Sequence, residues 1–222
     1  MPTDPEERST GRREQRKRRI RTAIAEAAER LFAERGYDQV TVAEIAAEAG
    51  VSVKTLFTYF DSKEDLVFAD EERLLGRLLE SVQDRPAGRT PLEAVTAVLL
   101  AALDEEDGPE GLEEFHRTIG SSAGVASRLR RMWEAYEVEM AALLAGERNE
   151  AVPSPETRLA AAQLIALVRI TASAEALSFV RSRRSADPEE PALREWIERS
   201  AAQLGAGLAD YGRRAADRDP GM

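Results

Sequence analysis

Hydrophobic residues recur at helical spacing along almost the whole chain, and no segment shows the alternating pattern of a β-strand. From Arg16 to Arg35 an apolar stripe predicts a helix that ends at Gly36. The stripe consists of Ile20, Ile24, Ala27, Ala28 and Leu31. Further helical patterns follow at about 62–82, 91–103, 112–119, 126–144, 157–183 and 192–214. They are separated by short segments rich in Gly, Pro and charge, among them an acidic turn at 104–111 and a loop at 187–191. The chain is therefore predicted to be all-α, with about nine helices.

Two short helical patterns meet at a tight turn in the stretch 41–63, TVAEIAAEAGVSVKTLFTYFDSK. Thr41 and Glu44 have the spacing of a capping box, which satisfies free amides at the start of the first helix. Gly50 supplies the left-handed residue that ends this helix. The stretch therefore predicts a helix, a glycine turn and a second helix.

The second of these helices has one apolar and one polar side. Ser52 can cap it, and Leu56 and Phe60 face inward. The opposite side carries groups able to donate hydrogen bonds to phosphates or base edges, namely Lys54, Thr55, Thr58 and Tyr59. A helix of this kind after a glycine turn is typical of the recognition helix of a helix-turn-helix. The alternative is a surface helix in an ordinary helical bundle.

The stretch TVAEIAAEAGVSVKTLFTYFDSKEDLV resembles the DNA-binding signature of the TetR/AcrR family of bacterial repressors. The resemblance spans roughly Ile20 to Val67, and it includes Gly36, Tyr37, Thr41, Ile45, Ala46, Ala49, Gly50, Val51, Ser52, Thr55, Leu56, Tyr59, Phe60, Ser62, Lys63 and Glu64. It implies a three-helix DNA-binding domain joined by a fourth helix, from Ser62 to about Val82, to a helical ligand-binding and dimerisation domain. Position 57 departs from the family, because Phe57 lacks the tyrosine hydroxyl that touches phosphate there.

Spacing and resemblance together assign the expected DNA contacts. Lys54, Thr55 and Thr58 are expected to face bases, while Thr41, Tyr59 and Lys63 hold phosphates. Ser52 suits either role. For Val53 two readings stay open: the spacing places it at the margin of the core, whereas the family places it in the major groove, within reach of a thymine methyl. The simple alternative for Lys63 is a solvated lysine.

The net charge of −10 argues against a nucleic-acid partner, so the way the charges are distributed along the chain becomes important. Residues 1–66 hold 12 Lys/Arg and 13 Asp/Glu, so they are nearly neutral. The remainder of the chain holds 19 Lys/Arg and 28 Asp/Glu and carries most of the negative charge. The first segment concentrates its basic residues at Arg12, Arg13, Arg16, Lys17, Arg18, Arg19 and Arg21. We expect Arg16, Arg18 and Arg19 to reach DNA from a basic arm, the alternative being a solvated tail.

The predicted domain organisation has four parts. These are a disordered basic arm (1–15), a helix-turn-helix DNA-binding domain (16–66), a ligand-binding and dimerisation domain (67–214) and a disordered tail (215–222). A homodimer is predicted through the last two long helices, by Leu193, Trp196, Ile197, Ser200, Leu204 and Leu208, the small residues Ala201, Ala202, Gly205 and Gly207, and Ala161, Leu164, Ala172 and Ala176. Two-fold symmetry in turn predicts a palindromic operator.

A cluster of large side chains in the second half suits an adaptable apolar ligand site, although a stripe of this kind is more often simple core. Its members are Phe115, His116, Ile119, Met132, Trp133, Tyr136, Met140, Ile165 and Phe179. Arg169 lies among apolar residues, so it is expected to be buried, either as the anchor of an anionic ligand group or in an ion pair with Glu175 or another carboxylate. This half loosely resembles MftR-type regulators, which implies a lipid-like or acyl-CoA-like effector.

The sequence offers little to an enzyme. It has one histidine, His116, no cysteine and no glycine-rich phosphate loop, and it calls for no cofactor and no metal ion. No apolar run approaches the ~20 residues of a membrane span, and the start of the chain has no apolar signal region, so a cytoplasmic location is expected. The predicted function is a homodimeric repressor released from DNA by a small molecule. A regulator that answers only to its dimer or to a partner protein is the remaining alternative.

Overall fold

The structure is a computed structural model, and it describes residues 5–69, 71–103, 113, 116–117, 122–184 and 192–208. This part of the chain forms ten α-helices, a short 3-10 turn at Tyr37–Gln39 and no strand, which confirms the all-α prediction. The helices are α1 (Pro5–Arg35), α2 (Val42–Glu48), α3 (Val53–Leu56), α4 (Lys63–Val67), α5 (Glu71–Gln83), α6 (Pro91–Leu103), α7 (Ala123–Glu147), α8 (Pro155–Thr171), α9 (Ala174–Arg184) and α10 (Ala192–Leu208).

Three helix bounds differ from the hydrophobic pattern. The pattern predicts one helix from Ser62 to about Val82, whereas α4 ends at Val67 and α5 begins at Glu71. It also predicts one helix across 157–183, which the structure interrupts at residues 172–173. The largest difference is at the start, where α1 begins at Pro5 and absorbs most of the predicted arm. Arginine, glutamate and glutamine are good helix formers, so a polar composition did not imply an irregular segment here.

Several predicted features lie outside the described residues. These are Phe115, Ile119, most of the predicted short helix 112–119, the acidic turn 104–111, the loop 187–191 and the tail 215–222.

The chain divides into two compact units. The first comprises residues 1–69 and 116–128, and the second comprises 70–115 and 129–222. The boundary at 69/70 lies close to the predicted one at 66/67, but the inclusion of 116–128 in the first unit was not foreseen. None of the described helices is by itself long and apolar enough to cross a membrane, and α8 and α9 reach that length only together, across a 46° bend.

The first unit is built around α1, which packs on α2 and α4, while α2 packs on α3. Its core consists of side chains at most 3% exposed, among them Ile24, Ala27, Ala28, Phe32, Ile45, Leu56, Phe60 and Leu66. These are the apolar positions of the predicted helical stripes. Because α2 packs on α1 and α3 packs on α2, the hydrophobic pattern determines which side of each short helix faces the core of the unit.

The first turns of α7 also belong to this unit. Arg128 Nε donates to Asp65 Oδ1 at 2.6 Å, and the Arg128 guanidinium lies 5.5 Å from the centre of the Phe68 ring. Burial raises the pKa of Asp65, but hydrogen bonds from Arg128 and Ser62 outweigh it, so the pKa of this carboxyl lies below its usual value. At Gly124 a Cβ atom would come within 2.5 Å of Glu64 Oε1, so a residue without a side chain permits this close approach.

In the second unit α10 packs on α6, α8 and α9, and α6 packs on α5 and α8. Fully buried side chains include Leu78, Tyr136, Met140, Leu164, Ile165, Leu167 and Ile197. The predicted dimer residues Ala161, Leu164, Ala176, Leu193 and Ile197 are therefore part of the core of one protomer and cannot form an interface between two. Both the buried face and the exposed face of α8 carry apolar residues. The α8 residues predicted to form the dimer interface, Ala161 and Leu164, lie on the buried face.

A buried arginine joins two segments of the second unit. Arg85, whose side chain is 1% exposed, lies in the loop after α5, and Glu147 ends α7. The guanidinium donates to both carboxylate oxygens of Glu147, at 2.6 and 2.7 Å, and also to the carbonyl oxygens of Val82 and Arg89. Such a bidentate pair fixes orientation as well as distance. It ties the loop before α6 to the end of α7.

Candidate nucleic-acid interface

The start of α2 is held by the predicted capping box. The Glu44 amide donates to Thr41 Oγ1 at 3.3 Å, and the Thr41 amide donates to Glu44 Oε2 at 2.8 Å. The Thr41 hydroxyl also donates to Glu44 Oε2 at 2.7 Å. These hydrogen bonds, led by that of the Thr41 side chain and joined by Arg35, lower the pKa of Glu44 to about 2. Thr41 thus has its hydroxyl proton engaged in the cap, and a phosphate contact requires it to turn.

The turn between α2 and α3 follows the predicted glycine rule. Gly50 has φ +67°, a left-handed conformation that residues with a Cβ atom rarely adopt. The Gly50 amide donates to Ala47 O at 3.1 Å, and the Val51 amide donates to Ala46 O at 2.9 Å. This pair of bonds is a Schellman motif, which satisfies the last carbonyls of α2 and reverses the chain. The turn sets the direction in which α3 leaves α2.

The short helix α3 buries one side and presents the other to solvent. Ser52 caps it by accepting from the Thr55 amide at 3.0 Å. Leu56 is buried within the unit, and so is Phe60 just after the helix. Exposed on the other side are Ser52, Val53, Lys54, Phe57 and Thr58, while Thr55 and Tyr59 are half-buried. The structure thus places Val53 on the outer side, away from the core margin that spacing alone had allowed.

The hydroxyl groups on this outer side are largely engaged with the helix itself. Ser52 Oγ and Thr55 Oγ1 are 2.8 Å apart, so one of the two hydroxyls donates its proton to the other. The Thr58 hydroxyl donates to Lys54 O at 3.1 Å, a bond that folds it back along its own helix. Of the groups predicted to contact bases, the ammonium of Lys54 is therefore the one that projects most freely, together with the second proton of the Ser52–Thr55 pair.

Lys63, at the start of α4, packs against aromatic residues. Its Nζ donates to Tyr37 O at 2.5 Å and lies 3.9 Å from the centre of the Tyr37 ring and 5.9 Å from that of Phe32. Partial burial lowers the pKa of this ammonium. An ammonium has three donors, so one bond to a carbonyl leaves two for a phosphate. Lys63 has a structural role that the sequence did not signal, beside its predicted phosphate contact.

Arg21 is a second residue whose role the sequence did not reveal. Its guanidinium lies 4.5 Å from the centre of the Phe60 ring and donates to Tyr59 O at 3.5 Å and to Ala69 O at 3.2 Å. It therefore holds the segment after α3 and the residue after α4 to α1. In the sequence Arg21 is one of seven basic residues in a run, and nothing distinguished it from its solvated neighbours.

The basic segment is helical, which limits what its members can reach together. Arg16, Arg18 and Arg19 are exposed on α1. At 100° per residue, Arg16 and Arg19 share one face, while Arg18 lies on another, one turn before Arg21. The three arginines therefore leave α1 in at least two directions, and their contacts with DNA stay a prediction.

Ion pairs from α1 neutralise the acidic residues of α2. Arg35 contacts Glu44 at 2.8 Å, and Arg30 contacts Glu48 at 3.0 Å. Both pairs are about half exposed and contribute little to stability. Their effect on DNA is more direct, because they reduce the local negative charge beside α3 in an acidic protein.

The predicted ligand residues fall into separate places. Met132, Trp133, Tyr136, Met140 and Ile165 are buried in the second unit, where the Trp133 and Tyr136 rings meet edge to face at 5.6 Å. His116 belongs to the first unit. Phe179 is half-buried and packs against Trp196 of α10, with ring centres 5.2 Å apart.

Arg169 is not buried, contrary to expectation. It is exposed in the last turn of α8, next to Ile170, which is also exposed. Arg169 was expected to be buried because its neighbours along the sequence are apolar. Because α8 is apolar on its outer face as well, its apolar neighbours do not enclose it. Neither the ligand anchor nor the compensating internal ion pair is therefore needed.

The capped helix, the glycine turn and the outward polar face of α3 define the first unit as a helix-turn-helix DNA-binding domain. Comparison with known proteins agrees. Residues 24–69 match the model of the bacterial regulatory proteins of the tetR family. The HTH-type transcriptional regulator TcmR of Streptomyces glaucescens is 30% identical over 156 residues, which cover 65% of this chain and 69% of TcmR. The regulator BetI of Rhizobium meliloti is 41% identical over 118 residues, covering 52% and 58%.

The fold is also similar to solved structures. The transcriptional regulator FadR from Bacillus subtilis, in complex with stearoyl-CoA, superposes with a TM-score of 0.53 at 19% identity, over 84% of this chain and 98% of FadR. The chain belongs to the TetR family, and it is a DNA-binding transcriptional regulator.

Proposed function

We propose that this protein is a homodimeric repressor that binds a palindromic operator, with one α3 helix in the major groove of each half-site. The observation that carries the proposal is the outer face of α3. It is rigidly supported from behind by Leu56 and Phe60, and it turns Lys54 and its neighbours to solvent. Lys54 reads base edges, and Thr55 and Thr58 support it by hydroxyl contacts. Lys63, with Tyr59 and Thr41, holds the phosphate backbone.

The dimer forms through the outer face of α8. Four residues at helical spacing make this outer stripe: Leu159, Ala162, Ala166 and Ile170. Leu159 is 60% and Ile170 43% exposed in the protomer, although both are large apolar side chains. The two alanines between them leave room for a second helix to approach closely. A second copy of the same stripe, related by a two-fold axis, would cover both large residues.

A comparison of two lysine variants tests the assignment of base and phosphate contacts. Lys63→Ala should weaken binding to all duplexes by the same factor and flatten the salt dependence of log K by about one unit. Lys54→Ala should change which bases are preferred in each half-site, with a loss of about 1–3 kcal/mol for the preferred sequence. Binding is measured by fluorescence anisotropy at several salt concentrations, on a preferred and a scrambled duplex.

Circular dichroism provides the control, because Lys63→Ala also removes the contact with Tyr37 and should lower the melting temperature. Binding is therefore compared well below the transition of both proteins. A change of base preference in Lys63→Ala, or an unchanged preference in Lys54→Ala, would show that the two roles are wrongly assigned.

The proposed effector is an apolar or acyl-CoA-like molecule whose hydrocarbon part enters the second unit near Met132, Trp133, Tyr136 and Met140. Methionine and aromatic side chains accommodate such ligands by changing rotamers. FadR, which shares the fold, is recorded with stearoyl-CoA. The ligand acts by binding the DNA-free form more tightly than the DNA-bound form.

A gel-shift titration with acyl-CoAs of several chain lengths, and with coenzyme A as the chain-free control, tests the effector. Only the acylated form should release wild-type protein from DNA. Arg169→Ala should respond like wild type, because Arg169 is exposed whereas Met132, Trp133, Tyr136 and Met140 are buried. No release by acyl-CoAs of any chain length would reject this class of effector. If Arg169→Ala stayed on DNA at acyl-CoA concentrations that release wild type, Arg169 would be the anchor of an anionic ligand group, as first expected.

A further inference from the structure

The outer face of α3 carries an apolar patch as well as its polar groups. Val53 is 39% and Phe57 46% exposed, and the two are four residues apart at helical spacing, on one side of the helix. Only six large apolar side chains stand out as exposed in the described part of the chain, and two of them lie at the first residue of α3 and at its C-cap. We call Val53 and Phe57 the apolar patch.

The polar neighbours of the patch leave it prominent. The Thr58 hydroxyl is bonded to Lys54 O, and the hydroxyls of Ser52 and Thr55 are bonded to each other. Besides the remaining hydroxyl proton of the Ser52–Thr55 pair, the groups that face outward are the Lys54 ammonium and two hydrocarbon surfaces. A phenyl ring has no hydrogen-bond donor and cannot hold a phosphate, so Phe57 needs another kind of partner in the complex.

The major groove offers one apolar group, the C5 methyl of thymine. We infer that the apolar patch reads thymine methyl groups, and that Phe57 is a specificity-determining residue. The inference rests on the proposed entry of α3 into the major groove. Because 5-methylcytosine carries its methyl group at the same place, the patch would accept 5-methylcytosine in place of thymine more readily than unmodified cytosine.

Removing or adding single methyl groups on the DNA bases tests the proposed thymine recognition. An operator obtained by selection from random duplexes is resynthesised with each thymine replaced, one at a time, by deoxyuridine, which lacks only the methyl group. At one or two thymines in each half-site the affinity of wild type should fall by about 4-fold, the value of one buried methyl group. Placing 5-methylcytosine, rather than cytosine, at the same position should recover affinity by a similar factor.

The variants assign the effect to the patch. In Phe57→Ala the ratio of affinities for thymine and uracil at the sensitive position should fall to about one, while Phe57→Tyr, which keeps the ring, should retain it. Val138→Ala, which shortens another exposed side chain on α7, should leave every ratio unchanged. Both positions are exposed, so all three variants should fold, which circular dichroism verifies.

Two outcomes would overturn the inference while leaving the proposed function intact: DNA binding that is insensitive to every thymine-to-uracil change, or a Phe57→Ala variant that still distinguishes the two bases. Absence of binding to any duplex would instead overturn the proposed function, and the inference with it.

Discussion

Replacing Glu147 with alanine should destabilise the protein by about 3 kcal/mol, because it leaves the guanidinium of Arg85 buried without its counter-charge. The side chain of Arg85 is 1% and that of Glu147 19% exposed, so water can solvate the remaining charge only in part. The loss is at the lower end of what removal of one partner from a buried pair causes. Urea unfolding followed by circular dichroism measures it.

Two further variants distinguish the destabilisation caused by a buried charge without its counter-charge from the net contribution of the ion pair to stability. The double variant Arg85→Met with Glu147→Leu should recover most of the stability, since apolar side chains of similar volume often replace a buried ion pair without loss. Arg199→Ala removes an exposed pair with Glu195, at 3.2 Å, and should change stability by less than about 0.5 kcal/mol. Equal effects of Glu147→Ala and Arg199→Ala would show that Arg85 is solvated in solution.

A glutamate at position 166 should convert the proposed dimer into a monomer and reduce operator affinity by about 100-fold or more. Ala166 lies in the middle of the outer stripe of α8, where the two-fold axis would bring two long charged side chains into the space left by the small alanines. A monomer contacts only one half-site, so it loses the gain in affinity that comes from linking two recognition helices.

Sedimentation velocity at micromolar concentration measures the first effect, and anisotropy on a full palindromic operator the second. Val138→Glu is the matched control, because it adds the same charge to another exposed apolar position outside the stripe and should remain dimeric. A dimeric Ala166→Glu protein would place the interface elsewhere. A monomeric wild type would remove the dimer from the proposal altogether.

The local features of the DNA-binding unit could be predicted from the sequence because each depends on a few neighbouring residues. The capping box of Thr41 and Glu44, the left-handed Gly50 and the cap at Ser52 are all formed as expected. Each is set by hydrogen bonds between residues at most five positions apart, so the order of side chains along the chain is enough to specify it.

Features that depend on distant residues could not be predicted in the same way. The burial of Arg85 requires Glu147, which is 62 positions away, and its own segment looks like an ordinary polar loop. The placement of Arg169 failed because α8 is apolar on two faces, and the pattern alone does not tell which one the protomer covers. The break at residues 172–173 has neither glycine nor proline to announce it.

Selection of binding sites from a random duplex library tests the central claim most directly, namely that two symmetry-related α3 helices read the major groove. The account predicts enrichment of a palindrome whose half-site centres are about 10 base pairs apart, or a multiple of that spacing. Enrichment of a single asymmetric site, or no enrichment at all by the folded protein, would contradict it.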